Sequence, residues 1–581
     1  MSRAEQAFVA GNLESARADL AELRQLAGDQ SAVFHLLALV ERKAGNAEAA
    51  SAAFKEALRL EPGDPQINSN YANLRAAVGD SDAALELYGR AITAAPSFLD
   101  ARFNRAMLLE KMGRLDEALE ELDQLIARKS TEARFHSARG AVLRSLDRLS
   151  TSADAFDKAL ALDPKRLVAL HGRARVAMER GEDGAAALYQ EALAVGGSNA
   201  ELRLGLAEAL EAEGRASEGL NLLADTVAFH PEWPQGQALL ARMRWEAGEG
   251  KAFTRTLEAA AEALRSPALW GTLAATLAGA DLHAEAADAA ARGAALIPDD
   301  ASLRLAEASY ASRAGLLDRA GSLFAGLPPG LNGLSLSKAW HALRIGSYDE
   351  AAMLLDSARD DDPSAIEAWA LTGLAWRLTG DSRVDWLYNQ PGLIGVDDLG
   401  LDETEIEAIA GRLRSLHRTR AHPIAQSLRG GTQTRGRLFE RGEPEVVQLG
   451  ERIRVAVDRY WQALPPLDET HPLLRHRNGH PHIVGSWSVR LTGGGFHVAH
   501  YHSRGIVSSA AYLVVPRTEA LHEGWLEVGG PPADLNLPLE PLRRIEPIPG
   551  RLALFPSFMF HGTKPFSVGE RLTAAFDVVA S

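Results

Sequence analysis

Through the first two thirds of the chain, apolar and alanine positions fall at helical spacing in stretches broken at a fixed interval. The breaks read "AGNLESA" at Gly11, "AGNAEAA" at Gly45, "VGDSDAA" at Gly79 and "MGRLDEA" at Gly113, each 34 residues after the last. Asp147 in "LDRLSTSA" holds the next register position, followed by Gly181, Gly214 and Gly248, then less regularly by Gly279, Gly315, Gly346 and Gly380. Proline-bearing marks such as "EPGDP" at 61–65, "DPK" at 163–165 and "DDPS" at 361–364 end one helix pair and begin the next. The pattern predicts two antiparallel helices per period, about eleven repeats and an all-α solenoid over residues 1–382. Near residue 383 the rhythm stops. Residues 402–420 and 444–464 each read as one amphipathic helix. From about residue 482 come short β-branched or aromatic runs bounded by Gly and Pro: "IVGSWSVRLT", "SSAAYLVVP", "GWLEVGG", "GRLALFPS" and "RLTAAFDVVA". The expected fold class is multidomain, with the solenoid followed at 383–581 by an α+β domain whose two helices pack on a β sandwich or barrel at about 482–581.

The segment "NYANLRAAVGDSDAALELYGRAITAAPSFLDARFNRA" resembles tetratricopeptide repeats, and the resemblance runs from residue 1 to about 382. It implies a concave surface that receives an extended peptide or a partner helix.

Composition narrows the chemistry. The chain has 581 residues and no cysteine, which removes disulfides, thiolate zinc sites and cysteine nucleophiles, so any metal must be held by His, Asp or Glu. A net charge of -15 argues against a general nucleic-acid or membrane-surface binder. One local exception is the arginine run Arg412, Arg414, Arg418, Arg420, Arg429, Arg435 and Arg437, which reads as a solvated helix face plus a loop rather than an anion site. No apolar run is long enough to cross a bilayer, and "MSRAEQAFVAGNLESARADL" has neither the apolar core nor the cleavage pattern of a secretory signal, so the cytoplasm is the expected location.

The candidate chemistry lies in "GGGFHVAHYHSRG", residues 493–505. In an extended strand His500 and His502 project to one side while Tyr501 points to the other, so the two histidines can grip one ion. His497 falls on the opposite face of a regular strand, and a third ligand must come from elsewhere. "GRLALFPSFMFHGTKPFSVGERLTAAFD" supplies His561, then Arg571 ten residues later, with Thr573 on the same face. His480 and His482 form another H-x-H pair at a loop-to-strand junction with no downstream partner, and read as structural or substrate-facing. "SLRGGTQTRG" reads as a loop near the pocket mouth.

With "QSLRGGTQTRGRLF", "AAYLVVP" and "RLALFPSFMFHGTKPF", this arrangement resembles the double-stranded β-helix (jelly-roll) core of the Fe(II)- and 2-oxoglutarate-dependent oxygenases, over roughly residues 400–581. The resemblance implies His500 and His561 as Fe(II) ligands, with His502 standing where many relatives carry an aspartate, so that the metal set becomes His500, His502 and His561. It implies Arg571 as the cation for the distal carboxylate of 2-oxoglutarate and Thr573 as its hydroxyl partner. Leu491 occupies a place where prolyl-hydroxylase-like relatives often carry a tyrosine, which leaves Tyr512 or Ser508 on the next strand to touch the cosubstrate. The implied activity consumes Fe(II), 2-oxoglutarate and O2, and the repeats suggest a protein or peptide substrate, with neither nucleic acid nor membrane as partner. The alternative is a repeat scaffold with a degenerate, non-catalytic β domain, favoured by His502 in place of the carboxylate.

Overall fold

The computed structural model describes residues 1–418, 424–517 and 521–580, which fall into two compact units, Met1–Val176 and Ala177–Ser581. In the first unit, helices alternate in antiparallel pairs, such as Pro65–Ala77 with Ser81–Ala94. Their starts are chemically marked. Asp64 caps the helix that Pro65 opens, its Oδ1 accepting the Ile67 amide hydrogen at 2.8 Å. Phe54, Tyr71 and Tyr88 pack among alanines that let the helices approach closely. At the turns, Gly45, Gly79 and Gly113 take φ of 82°, 87° and 76°, the left-handed region glycine enters without strain. Asp147 adopts the same conformation, with φ 59°, so the register continues where glycine is missing.

In the second unit the helix pairs continue to the helix Ile366–Thr379. One turn departs from the sequence reading. Gly279 ends the helix Pro267–Gly279, and Asp281, with φ 62°, makes the reversal. Gly279 is small for another reason: a Cβ there would lie 2.7 Å from the Ile424 side chain, and Ala425 donates its amide hydrogen to the Gly279 carbonyl at 2.9 Å.

The helices Glu403–Leu416 and Pro444–Ala463 occupy the expected places, but the first stops earlier than residue 420. His417 is extended and its ring is tied to Thr432 and Ser488, which pulls the chain off the helical path; residues 419 and 420 lie outside the described residues. The strands are β1 (Gly395–Asp398), β2 (Leu428–Gln433), β3 (Pro481–His497), β4 (Val507–Val514), β5 (Leu526–Val528), β6 (Arg543–Ile545), β7 (Arg551–Pro556), β8 (His561–Thr563) and β9 (Glu570–Ala580). They form an antiparallel six-stranded sheet, β1-β7-β4-β9-β3-β2, and a three-stranded sheet, β6-β5-β8. The segment read as the loop "SLRGGTQTRG" is mostly strand β2, paired with β3 across a register shift at Arg429/Gly431. Leu572, Ala574, Phe576 and Val578 of β9 join Ile409, Leu413, Leu449 and Ile453 of the two helices in one core.

Arg412, Arg414, Arg418, Arg429 and Arg435 of the arginine run are partly exposed, and each is ion-paired. Arg435 meets Glu246 at 2.8 Å and Glu211 at 3.3 Å, Arg429 meets Asp281 at 2.6 Å, and Arg418 meets Asp183 at 3.5 Å, each tying the segment after residue 400 to acids of the repeats. Arg412 and Arg414 pair with Glu445 and Glu570, and Arg420 lies outside the described residues. Local reading missed these pairs because the acidic partners lie far away in sequence. Among the described residues, no helix is long and apolar enough to cross a membrane.

Candidate metal centre

Strand alternation and one turn build the centre. His500 and His502 project together just beyond β3, and His561 opens β8 after the turn Ser557–Phe560. The two segments are fastened by a reciprocal backbone bridge: His500 N–H donates to His561 O at 3.0 Å and His561 N–H to His500 O at 2.8 Å. The intervening residues point the other way. Tyr501 and Phe560 meet edge to face at 5.6 Å and pack with Trp340, Ala339 and Leu343 of the repeat helix Leu334–Arg344. Trp340 Nε1 donates to Glu367 at 2.7 Å.

The ligand atoms of the three histidines lie within 4.8 Å of one another. Each ring is oriented through Nδ1. His500 Nδ1–H donates to Val498 O at 2.9 Å, His561 Nδ1–H to Met559 O at 3.1 Å and His502 Nδ1–H to Asp577 Oδ1 at 2.5 Å. A carbonyl can only accept, so in the neutral rings of His500 and His561 Nε2 carries the lone pair, which at His500 also meets the Ser427 hydroxyl at 3.2 Å. Burial, followed by the neighbouring His502, pushes His500 down to about 3. Burial, followed by His500, holds His561 well below the ordinary imidazole value. Both are therefore uncharged near neutrality. His500 Nε2 and His502 Nε2 stand 3.0 Å apart. Two ligands at right angles on an ion with bonds of about 2.1 Å are separated by about this length, so the donor set fits a divalent metal with several positions left open.

Arg571 is 3% exposed. Its Nη1 donates to Gly524 O at 3.0 Å, its Nε lacks a partner, and among the described residues no carboxylate pairs with it. Its guanidinium carbon lies 5.2 Å from the Tyr512 ring centroid, with the phenol close by but without a well-formed hydrogen bond. Burial lowers the Arg571 pKa and raises that of Tyr512. A buried cation in this state calls for an anion. Thr573 shares its face of β9 and lies in register with Tyr512. Ser508 goes elsewhere: its hydroxyl is engaged by Ser557 at 2.9 Å and Asp577 at 3.3 Å. Leu491 is in register with Arg571 and packs with Leu428, Val489 and Phe566.

His497 stays outside the ligand set. Its Nδ1 lies 3.0 Å from Ser427 Oγ, and its pKa is held well below normal by burial, then by His500 and Arg571, so it sits within electrostatic reach of both halves of the site. His480 and His482 are exposed at the start of β3. Sequence reading passed over Asp577 and Ser427. Asp577 had a local signal, a lone acid in an apolar strand at the parity of Arg571; Ser427 had none.

The family described as "Putative 2OG-Fe(II) oxygenase", in which 2OG is 2-oxoglutarate, matches residues 485–577, and tetratricopeptide-repeat families match 35–97, 75–142, 182–243 and 336–382. No curated protein matches the chain. Among solved structures, the MamA fragment 41-end from Desulfovibrio magneticus RS-1 is 21% identical, with 30% of this chain and 98% of that chain covered at a TM-score of 0.28. The C-terminal part of a TPR repeat-containing protein from Cytophaga hutchinsonii is 15% identical, with 41% and 98% covered at a TM-score of 0.35. A tetratricopeptide repeat protein from Parabacteroides merdae is 17% identical, with 41% and 95% covered at 0.34. By these matches the chain carries tetratricopeptide repeats followed by a C-terminal domain that matches the family described as "Putative 2OG-Fe(II) oxygenase".

Proposed function

We propose that residues 383–581 are the catalytic module of an Fe(II)- and 2-oxoglutarate-dependent dioxygenase that hydroxylates a protein or peptide recruited by the repeats. The observation that carries this reading is the pairing of a converged histidine triad with a buried arginine that has no carboxylate partner among the described residues. His500, His502 and His561 would hold Fe(II) through Nε2. When bound, the metal with 2-oxoglutarate and O2 supplies oxidative decarboxylation, releasing succinate and CO2 and placing one oxygen atom in a substrate C–H bond.

The chain's own residues bind and orient. Arg571 takes the distal carboxylate of the cosubstrate in its planar fork, and Thr573 and Tyr512 offer hydroxyls beside it. Burial of this end keeps water from competing for the guanidinium. The backbone bridge between His500 and His561 fixes two ligands without help from the metal. The repeats raise the local concentration of a weakly held peptide, so the pocket itself need not bind it tightly.

Adding Fe(II) and then 2-oxoglutarate to the protein without oxygen tests the reading. The expected result is a visible charge-transfer band, followed by succinate once O2 is admitted. Absence of both would leave a repeat scaffold with an inert β domain.

A further inference from the structure

Three neutral imidazoles bring no negative charge to a dication. The structure holds a carboxylate immediately behind that ligand. Asp577 Oδ1 lies 2.5 Å from His502 Nδ1, and Asp577 is 7% exposed. Among the described residues neither Lys nor Arg pairs with it; its remaining hydrogen bond comes from the Ser508 hydroxyl at 3.3 Å, itself bonded to Ser557. A buried carboxylate without a basic side chain is costly unless a cation stands at its hydrogen-bond partner.

The site is built for this contact. Strand β9 alternates so that Phe576 and Val578 enter the core while Asp577 turns to the face of Arg571 and Thr573. Opposite it stands Gly505, where a Cβ would come 2.8 Å from Asp577 Cβ, so only glycine allows the approach. The three ligands are not treated alike. His500 and His561 donate Nδ1–H to neutral main-chain carbonyls, and His502 alone donates to a charged acceptor.

We infer that Asp577 is a positioning residue that supplies, one hydrogen bond further from the metal, the negative charge that three imidazoles do not bring. The carboxylate fixes the His502 tautomer with Nε2 toward the ion and strengthens it as a donor, through a carboxylate–histidine–metal relay. This inference rests on the metal-site reading above.

The test is Co(II) titration of the full-length protein, followed by its visible absorption. Asp577→Asn keeps the side chain's shape and an acceptor oxygen while removing the charge. Its Co(II) affinity should fall about 10- to 100-fold, while the metal-free melting temperature stays near that of the wild type. In H502D/D577N the charge returns at the ligand itself, and affinity should recover to within a few-fold of wild type. A purely structural Asp577 predicts that the double variant binds no better than D577N. Affinity unchanged in D577N, or no recovery in the double variant, overturns the inference while the metal site stands. No Co(II) uptake by the wild type, or uptake unaltered in H561A, overturns the metal-site reading itself and the inference with it.

Discussion

Arg571 is the residue whose state most needs a ligand. Its guanidinium is buried, satisfied at one nitrogen by Gly524 and flanked by Tyr512. Removing one member of a buried charge pair costs about 2–5 kcal/mol. Arg571→Ala should therefore raise the 2-oxoglutarate concentration needed for half-saturation by roughly 30-fold or more, with Fe(II) content unchanged. Titration of the charge-transfer band checks this, and an unaltered midpoint would remove Arg571 from the cosubstrate pocket. Period-2 alternation puts His500 and His502 on one side, whereas His561 and Arg571 come into view only through the family resemblance. Asp577 obeys the same parity, yet its role depends on meeting His502 across a chain separation of 75 residues. Ser427, between His497 and His500, is positioned by a register shift that no local pattern announces.

At the scale of elements, the helices were legible because their caps and turns are written locally, and β1 and β2 were not because each depends on a distant partner strand. The turn at Asp147 offers a measurable case. A non-glycine residue pays to hold φ 59°, so Asp147→Gly should stabilise the first unit by about 0.5–1 kcal/mol. Chemical denaturation checks it, and a destabilised variant would mean that the Asp147 side chain contributes more than its backbone costs. The histidine turns carry a pH signature. His471 Nδ1 accepts the amide hydrogens of Leu473 and Leu474 at 3.2 and 3.1 Å, and burial pushes its pKa down to about 4. Burial likewise lowers His417 to about 4. Both protonate more readily when unfolded, near 6.5, so their contribution is intact above that pH and is lost as pH falls from 6.5 to about 4. The slope is about 1.4 kcal/mol per pH unit for each group. Unfolding at pH 7 and pH 5 should show this loss, and His471→Asn should flatten it; an equal slope in that variant would dismiss the residue as a source.

For the whole molecule, the division at residue 176 matters more than the change of rhythm near 383. The repeats after it share charges and apolar contacts with the sheet domain: Arg435 with Glu211 and Glu246, Ile424 against Gly279, and Arg377 donating to the carbonyls of Gly529 and Glu540. A fragment comprising residues 177–581 should remain soluble and take up Fe(II), whereas 383–581 alone should aggregate, because Phe560, Tyr501 and Leu535 would lose their cover. Size-exclusion chromatography with metal analysis distinguishes the two, and a monodisperse, iron-binding 383–581 fragment would refute it. Tyr501 stands between two ligands and Phe560 immediately before the third, and both are seated on Trp340 and its neighbours. Residues 383–581 are thus not portable cargo: transplanted onto a foreign solenoid, they would have to bring the helices Leu334–Arg344 and Ile366–Thr379 with them, and inherited changes in those helices must be tolerated by the histidine cluster before any partner of the repeats is affected.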